Sequence, residues 1–267
     1  EAFGRLIDWQ IEEGVNALVI AGTTGEGSTL TDAEHKEVLR FAMEKTNRRV
    51  PLVAGTGSND TAYAIELTKY ACELDYDAML LVTPYYNKAT QRGLIESFKA
   101  IADASTKPCI LYNVPSRTGV DIPVTVYQKL AQLPNIAGVK EASTDITKIA
   151  RIRAACPDNF AIWSGNDDQA VAVMALGGKG VISVLSNVEP VLTQAMAKAA
   201  LDGDFDTAAA LQIEMLPLIE ALFCEVNPIP VKAAMNMLGF DCGNCRLPLT
   251  PMLPENQEKL KALLSAQ

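Results

Sequence analysis

Histidine is almost absent from this chain: 267 residues hold a single one, His35. A zinc site built on two or three imidazoles is thereby excluded, and a Ser-His-Asp triad would have to use His35 itself. Aromatic residues are scarce at 6%. The core must come from the plentiful Ala, Val, Ile and Leu, as in parallel strands covered by helices. Six cysteines are too few and too scattered for a disulfide framework, so a reducing, cytoplasmic setting is expected. Positive charge is also short. Lys plus Arg is 23 against 32 for Asp plus Glu, a net charge of −9. Such a chain lacks the footprint of a nucleic-acid binder, and anionic membranes would repel it. No run of about 18 apolar residues occurs, the length a membrane-spanning helix needs.

What is present is ordinary for a soluble enzyme, with 49% hydrophobic and 21% charged residues. Short apolar runs alternate with helical patterns, the signature of βα units and a parallel sheet. Strand candidates begin at Asn16, Val50, Asp77, Pro108, Asn135, Asn159 and Gly180. The opening residues read as a helix with Phe3, Leu6, Ile7 and Ile11 on one face and Gly14 at its stop. Thr31 and Glu34 form a capping box, and Asp60 caps the next helix. After the last strand candidate only helical patterns remain, over 186–201, 206–225, 229–238 and 255–265.

An open doubly wound sheet and a closed barrel both fit this alternation. Polar, glycine-rich segments follow nearly every strand, which favours a (β/α)8 TIM barrel whose site is built from those loops. Residues 1–186 are expected to form the barrel. Residues 187–267 are expected to add its last helix and a C-terminal helical extension, in one structural unit. The chain opens in the helix that should follow a first strand, so the barrel is expected to lack that strand, as the N-terminally incomplete part of a longer protein.

Lys140 is the sharpest chemical feature. It ends the apolar run Ile136–Val139, where desolvation favours a neutral, nucleophilic amine suited to Schiff-base chemistry. The bland alternative is pairing with Glu141. Tyr112 ends the preceding strand, about 5 Å away if the two strands are neighbours, and its phenol could shuttle protons. Thr23 and Thr24 offer hydroxyls and amides for a carboxylate. Arg117 offers a planar guanidinium; apart from Arg92 it is the only arginine in these loops. Gly22–Ser28 lacks the lysine of a phosphate-binding loop, and Gly55–Asp60 lacks the third glycine of a dinucleotide fingerprint. Asp167 and Asp168 read as caps rather than metal ligands, and His35 as a residue on the exposed side of a charged helix. Cys242 and Cys245 could form half a metal site or a redox couple, yet a glycine-containing loop after a helix explains their spacing.

The segments G-T-T-G-E (Gly22–Glu26), T-P-Y-Y-N (Thr83–Asn87), L-Y-N-V-P-S-R-T-G (Leu111–Gly119) and G-V-K-E-A (Gly138–Ala142) occur in this order in one family. N-P-I-P-V-K (Asn227–Lys232) and R-L-P-L-T-P (Arg246–Pro251) continue the match. Across essentially its whole length the sequence resembles the dihydrodipicolinate synthases, pyruvate-dependent class I aldolases. The resemblance implies condensation of pyruvate with L-aspartate-4-semialdehyde, the first committed step toward diaminopimelate and lysine, without metal or cofactor. It implies that Lys140 forms the imine. By the same resemblance Tyr112, Thr24 and Tyr86 would form a proton relay, with Tyr86 reaching into a neighbouring subunit. It further implies that Thr23 and Thr24 hold the pyruvate carboxylate, that Gly165 and Ile182 line its pocket, and that Arg117 takes the semialdehyde carboxylate. The family's usual state is a homotetramer of tight dimers. N-acetylneuraminate lyases and 2-keto-3-deoxy sugar-acid aldolases are the alternative; the lyases typically show G-S-T-G-E and lack the arginine. His35, Asn59 and Tyr85 agree with the family's lysine-sensitive allosteric pattern, but Tyr63 replaces a glutamate and Asp32 a histidine. Losing the carboxylate that pairs with an ammonium implies weak or absent feedback inhibition by lysine. A catalytically dead barrel is disfavoured, since every expected mouth residue is present.

Overall fold

A computed structural model describes residues 1–265. Its elements run α1 (Ala2–Glu12), β1 (Leu18–Ile20), α2 (Asp32–Thr46), β2 (Leu52–Gly55), α3 (Thr61–Glu73), β3 (Ala78–Val82) and α4 (Gln91–Ala104). Then come β4 (Cys109–Asn113), α5 (Pro115–Thr118), α6 (Val124–Leu130), β5 (Ile136–Glu141), α7 (Ile146–Ala155), β6 (Ala161–Ser164) and α8 (Ala170–Ala175). Four more helices follow: α9 (Pro190–Leu201), α10 (Phe205–Leu222), α11 (Ile229–Met237) and α12 (Pro254–Ser265). These elements fall into two compact units. One comprises 17–20 and 51–182; the other comprises 1–16, 21–50 and the chain from Ser183 onward.

The first unit is α/β, with its six strands all parallel and paired in chain order. Its strands are mostly apolar because both faces are covered, with Asn113, Lys140, Glu141 and Ser164 entering only at their C-terminal ends. Val53, Leu80, Ile110, Tyr112, Val114 and Ala142 cluster on one face, with Val19, Ala78, Val82 and Trp163 packed against them. The alternate positions, among them Met79, Leu81, Leu111, Val139 and Ile162, are fully buried toward the helical layer. There α3 packs on α4, α4 on α6, α6 on α7 and α7 on α8. Gly138 is obligatory: a Cβ there would lie 2.1 Å from the Ala161 carbonyl oxygen of β6.

The sequence predicts seven strands, and the described residues form six. The Gly180 segment follows β6 for one bridge only, Ser164 with Val181, its backbone bent at Gly180 with φ +144°. It then turns into a short 3-10 helix at Leu185–Asn187. The helix expected at Asp167 starts instead as a 3-10 turn, Asp167–Gln169, and α5 was not expected at all.

The second unit is helical. In α2 the Thr31 hydroxyl accepts from Glu34 N at 3.3 Å while Glu34 accepts from Thr31 N at 2.9 Å, the capping box read from sequence. Gln10, buried on α1, donates to the Ser186 carbonyl at 3.0 Å. Helix α10 packs on α9 and α12, and α12 on α11. Among the described residues no helix is long and apolar enough to cross a membrane.

Candidate active site

Strand register brings the two strongest candidates side by side. Val82 of β3, Tyr112 of β4, Lys140 of β5 and Trp163 of β6 are successive partners across the sheet, so their side chains share one face. The pairing depends on an irregularity. Cys109 faces Ile136 but Ile110 faces Gly138, leaving Ala137 as an extra residue. Without it Tyr112 would stand against Val139. Lys140 is only 9% exposed, and its Nζ lies 4.5 Å from the centre of the Tyr112 ring. Thr83 fixes the backbone of Tyr112, donating to its carbonyl from N at 2.9 Å and from Oγ1 at 2.8 Å. Gly165 leaves room for the lysine stem, since a Cβ there would sit 3.1 Å from Lys140 Cε and 2.6 Å from Ala142 Cβ. Ile182 N donates to the Ser164 carbonyl at 2.9 Å, which sets Ile182 beside the end of β6.

Glu141 does not pair with Lys140. As the next residue of the strand it points to the opposite face, where it is 1% exposed. There its carboxylate accepts from Asn113 Nδ2 at 2.8 Å, Tyr127 OH at 2.7 Å and Ser143 N at 2.8 Å, with Lys148 Nζ at 3.6 Å. Burial and the adjacent Glu141 carboxylate push the Tyr127 phenol well above its ordinary pKa, so it stays a donor. Nothing in the sequence spacing marks this network as a unit.

The remaining candidates of this unit sit on loops. Tyr86 is 90% exposed with φ +70°, and Asn87 Nδ2 beside it donates to the Asn59 carbonyl at 2.9 Å. Tyr85 is half-buried. Arg117 is exposed on α5, which Pro115 opens and Gly119 closes at φ +69°.

In the helical unit Thr23 and Thr24 lie in the tight loop after β1, both half-buried. Thr24 Oγ1 accepts from Asn227 Nδ2 at 3.0 Å, which leaves its own proton free to donate elsewhere. Glu26, two residues on, takes Lys232 Nζ at 2.5 Å and Arg246 N at 2.9 Å. The Asn227–Lys232 and Arg246–Pro251 motifs thus act as braces for the threonine loop. Sequence reasoning matched those motifs but gave them no role. Arg246 also forks onto both Glu34 oxygens at 2.7 Å, and this guanidinium holds the Glu34 carboxyl at about 2.

His35 corrects an expectation. It is 5% exposed and shares the inward stripe of α2 with Leu39, Ala42 and Thr46, while Asp32, Glu34 and Glu37 carry the polar face. Cys242 and Cys245 lie in the irregular loop after α11, and burial raises both thiols. That opposes the thiolate a metal or redox role requires. Among the described residues no three His, Cys, Asp or Glu side chains gather closely enough to hold a metal.

A profile of the Dihydrodipicolinate synthetase family matches residues 1–267. The 4-hydroxy-tetrahydrodipicolinate synthase of Acetivibrio thermocellus is 51% identical over 264 residues, 99% of this chain and 90% of the relative. The crystal structure of dihydrodipicolinate synthase from Aquifex aeolicus is similar at TM-score 0.98 and 44% identity, covering 99% of this chain and 91% of that one. A chloride-inhibited dihydrodipicolinate synthase from Acinetobacter baumannii, complexed with pyruvate, is similar at TM-score 0.96 and 44% identity, with 99% and 91% covered.

Proposed function

The chain belongs to the dihydrodipicolinate synthetase family, and on that premise we propose that it works through an imine between pyruvate and Lys140. Its reaction is the condensation of pyruvate with L-aspartate-4-semialdehyde to 4-hydroxy-tetrahydrodipicolinate, toward diaminopimelate and lysine. The Lys140 amine adds to the pyruvate ketone, and water leaves to give the imine. A methyl proton is lost to form the enamine, whose carbon attacks the aldehyde. The amine of the semialdehyde then attacks the imine carbon, closing the ring and releasing Lys140. The observation that carries this reading is the register pair of Tyr112 and Lys140, with a buried amine against the phenol ring.

In this reading Tyr112, Thr24 and Tyr86 move protons, and Thr23 with Thr24 holds the pyruvate carboxylate. Gly165 and Ile182 bound the pyruvate pocket, and Arg117 takes the acceptor carboxylate. That arginine favours the semialdehyde, which brings a carboxylate of its own, over the uncharged aldehyde acceptors from which related aldolases build sugar acids. An exposed tyrosine held at positive φ supports a role for Tyr86 in a second subunit's site, within a dimer of dimers. We infer further that the six parallel strands belong to a (β/α)8 barrel with C-terminal helices, working in the cytoplasm.

Borohydride reduction in the presence of pyruvate, followed by peptide mass mapping, tests the mechanism. The expected product is a pyruvate-derived adduct on Lys140, absent from Lys140→Arg because a guanidinium is not nucleophilic. An adduct on another lysine, or none in the native enzyme, refutes it.

A further inference from the structure

Behind the Tyr112–Lys140 pair stands a second pair, one residue further along the same strands. Asn113 and Glu141 are register partners on the opposite face of the sheet, 0% and 1% exposed. The Asn113 amide uses both ends. Its Nδ2 donates to Glu141 Oε1 at 2.8 Å and to Asp121 Oδ1 at 2.7 Å, and its Oδ1 accepts from Ile122 N at 3.0 Å. The segment between Asn113 and Ile122 is the loop that carries Arg117. That loop is braced internally as well, because Thr118 Oγ1 donates to Val114 O or Val120 O, at 3.2 and 3.0 Å, and accepts from Val120 N. A loop rigid in itself and clamped at its two ends moves as one body about its clamp. Lys148, 7% exposed, closes the network by pairing with Asp121 and approaching Glu141.

We propose that Asn113 is a positioning residue that locks the Arg117 loop to the strand end bearing Lys140. It touches neither substrate. Its amide fixes the distance between the group that holds the acceptor carboxylate and the group that holds the pyruvate carbon. An acid in its place would face the carboxylates of Glu141 and Asp121, and a shorter side chain would reach neither the Glu141 carboxylate nor Ile122 N. An amide, donor at one end and acceptor at the other, fits both demands. The proposal rests on the function given above, with Arg117 as the carboxylate anchor.

The test compares Asn113→Ser and Asp121→Ala, each alone and with Arg117→Ala, by steady-state kinetics in both substrates, borohydride trapping and thermal melting. Asp121 is the safer variant, since its side chain is 54% exposed and its removal opens the clamp from the solvent side. Either substitution should raise KM for the semialdehyde about tenfold while KM for pyruvate moves much less, the split expected when one ligand's anchor is displaced. In the Arg117→Ala background the same substitutions should add little, because the anchor they position is gone. Full additivity, an unchanged semialdehyde KM in Asp121→Ala, or equal rises in both KM values with a lowered melting temperature would each overturn it. A native enzyme that traps no pyruvate would instead remove the functional reading itself.

Discussion

At the scale of single residues the site depends on what is missing as much as on what is there. Gly165 is the clearest case. Its absent side chain is the space occupied by the Lys140 stem, with only 3.1 Å between a hypothetical Cβ and Lys140 Cε. Gly165→Ala should therefore overpack the pocket at a cost of about 1–3 kcal/mol. It should also slow borohydride trapping of pyruvate by about tenfold or more, because a displaced amine loses its attack geometry. An unchanged trapping rate would sink this account. Lys140 itself was legible in the sequence, since a lysine closing an apolar strand is conspicuous. Asn113 and Glu141 were not. Their partnership exists only once β4 and β5 are laid together with the extra residue at Ala137, and an irregular register cannot be read from either strand alone. His35 differs from its expected place for a local reason: its charged neighbours suggest an exposed face, whereas the i, i+4, i+7 spacing to Leu39 and Ala42 places it inside.

At the scale of elements, strands were recognisable wherever both faces are covered, because burial on both sides leaves a mostly apolar run. The Gly180 run has the same composition but forms a single bridge, since its bent glycine and the 3-10 turn after it end the pairing. The braces of the threonine loop are not legible in the sequence for a different reason: Asn227 and Thr24 are 203 positions apart. One brace makes a pH-dependent forecast. Arg246 and the capping contacts of Thr31 hold the Glu34 carboxyl at about 2 instead of its usual 4.5. A depressed carboxyl contributes stability that is full above its unfolded value and lost as pH falls toward the folded one. Arg246→Ala should raise the Glu34 titration and shift acid unfolding to higher pH, with native and variant curves converging below about pH 2. Coincident acid-unfolding curves, followed by circular dichroism, would show that the fork adds nothing.

At the scale of the whole molecule, Tyr86 is the residue least at home in a lone chain. A tyrosine with φ +70° costs about 1–3 kcal/mol of backbone strain, and 90% exposure returns nothing for it. Its proposed place in a neighbour's site makes complementation the decisive experiment. Tyr86→Phe and Lys140→Arg are each expected to be nearly inactive, yet hybrids of the two should recover about a quarter of native activity. Only mixed pairs contain one site with a native lysine and a donated tyrosine. Recovery confined to the unmixed level would place Tyr86 in its own subunit's site. The extra residue at Ala137 bears on how such a protein can change in length. Side chains alternate along β5, so adding or removing one residue between Gly138 and Lys140 would turn Lys140 toward the helices and bring the Glu141 carboxylate to the other face. The extra residue at Ala137 is itself what sets that parity, since Tyr112 faces Lys140 only because the strand carries it. Single-residue insertions or deletions in this strand, the loss of Ala137 among them, should therefore uncouple Lys140 from Tyr112 even where every side chain that acts is kept.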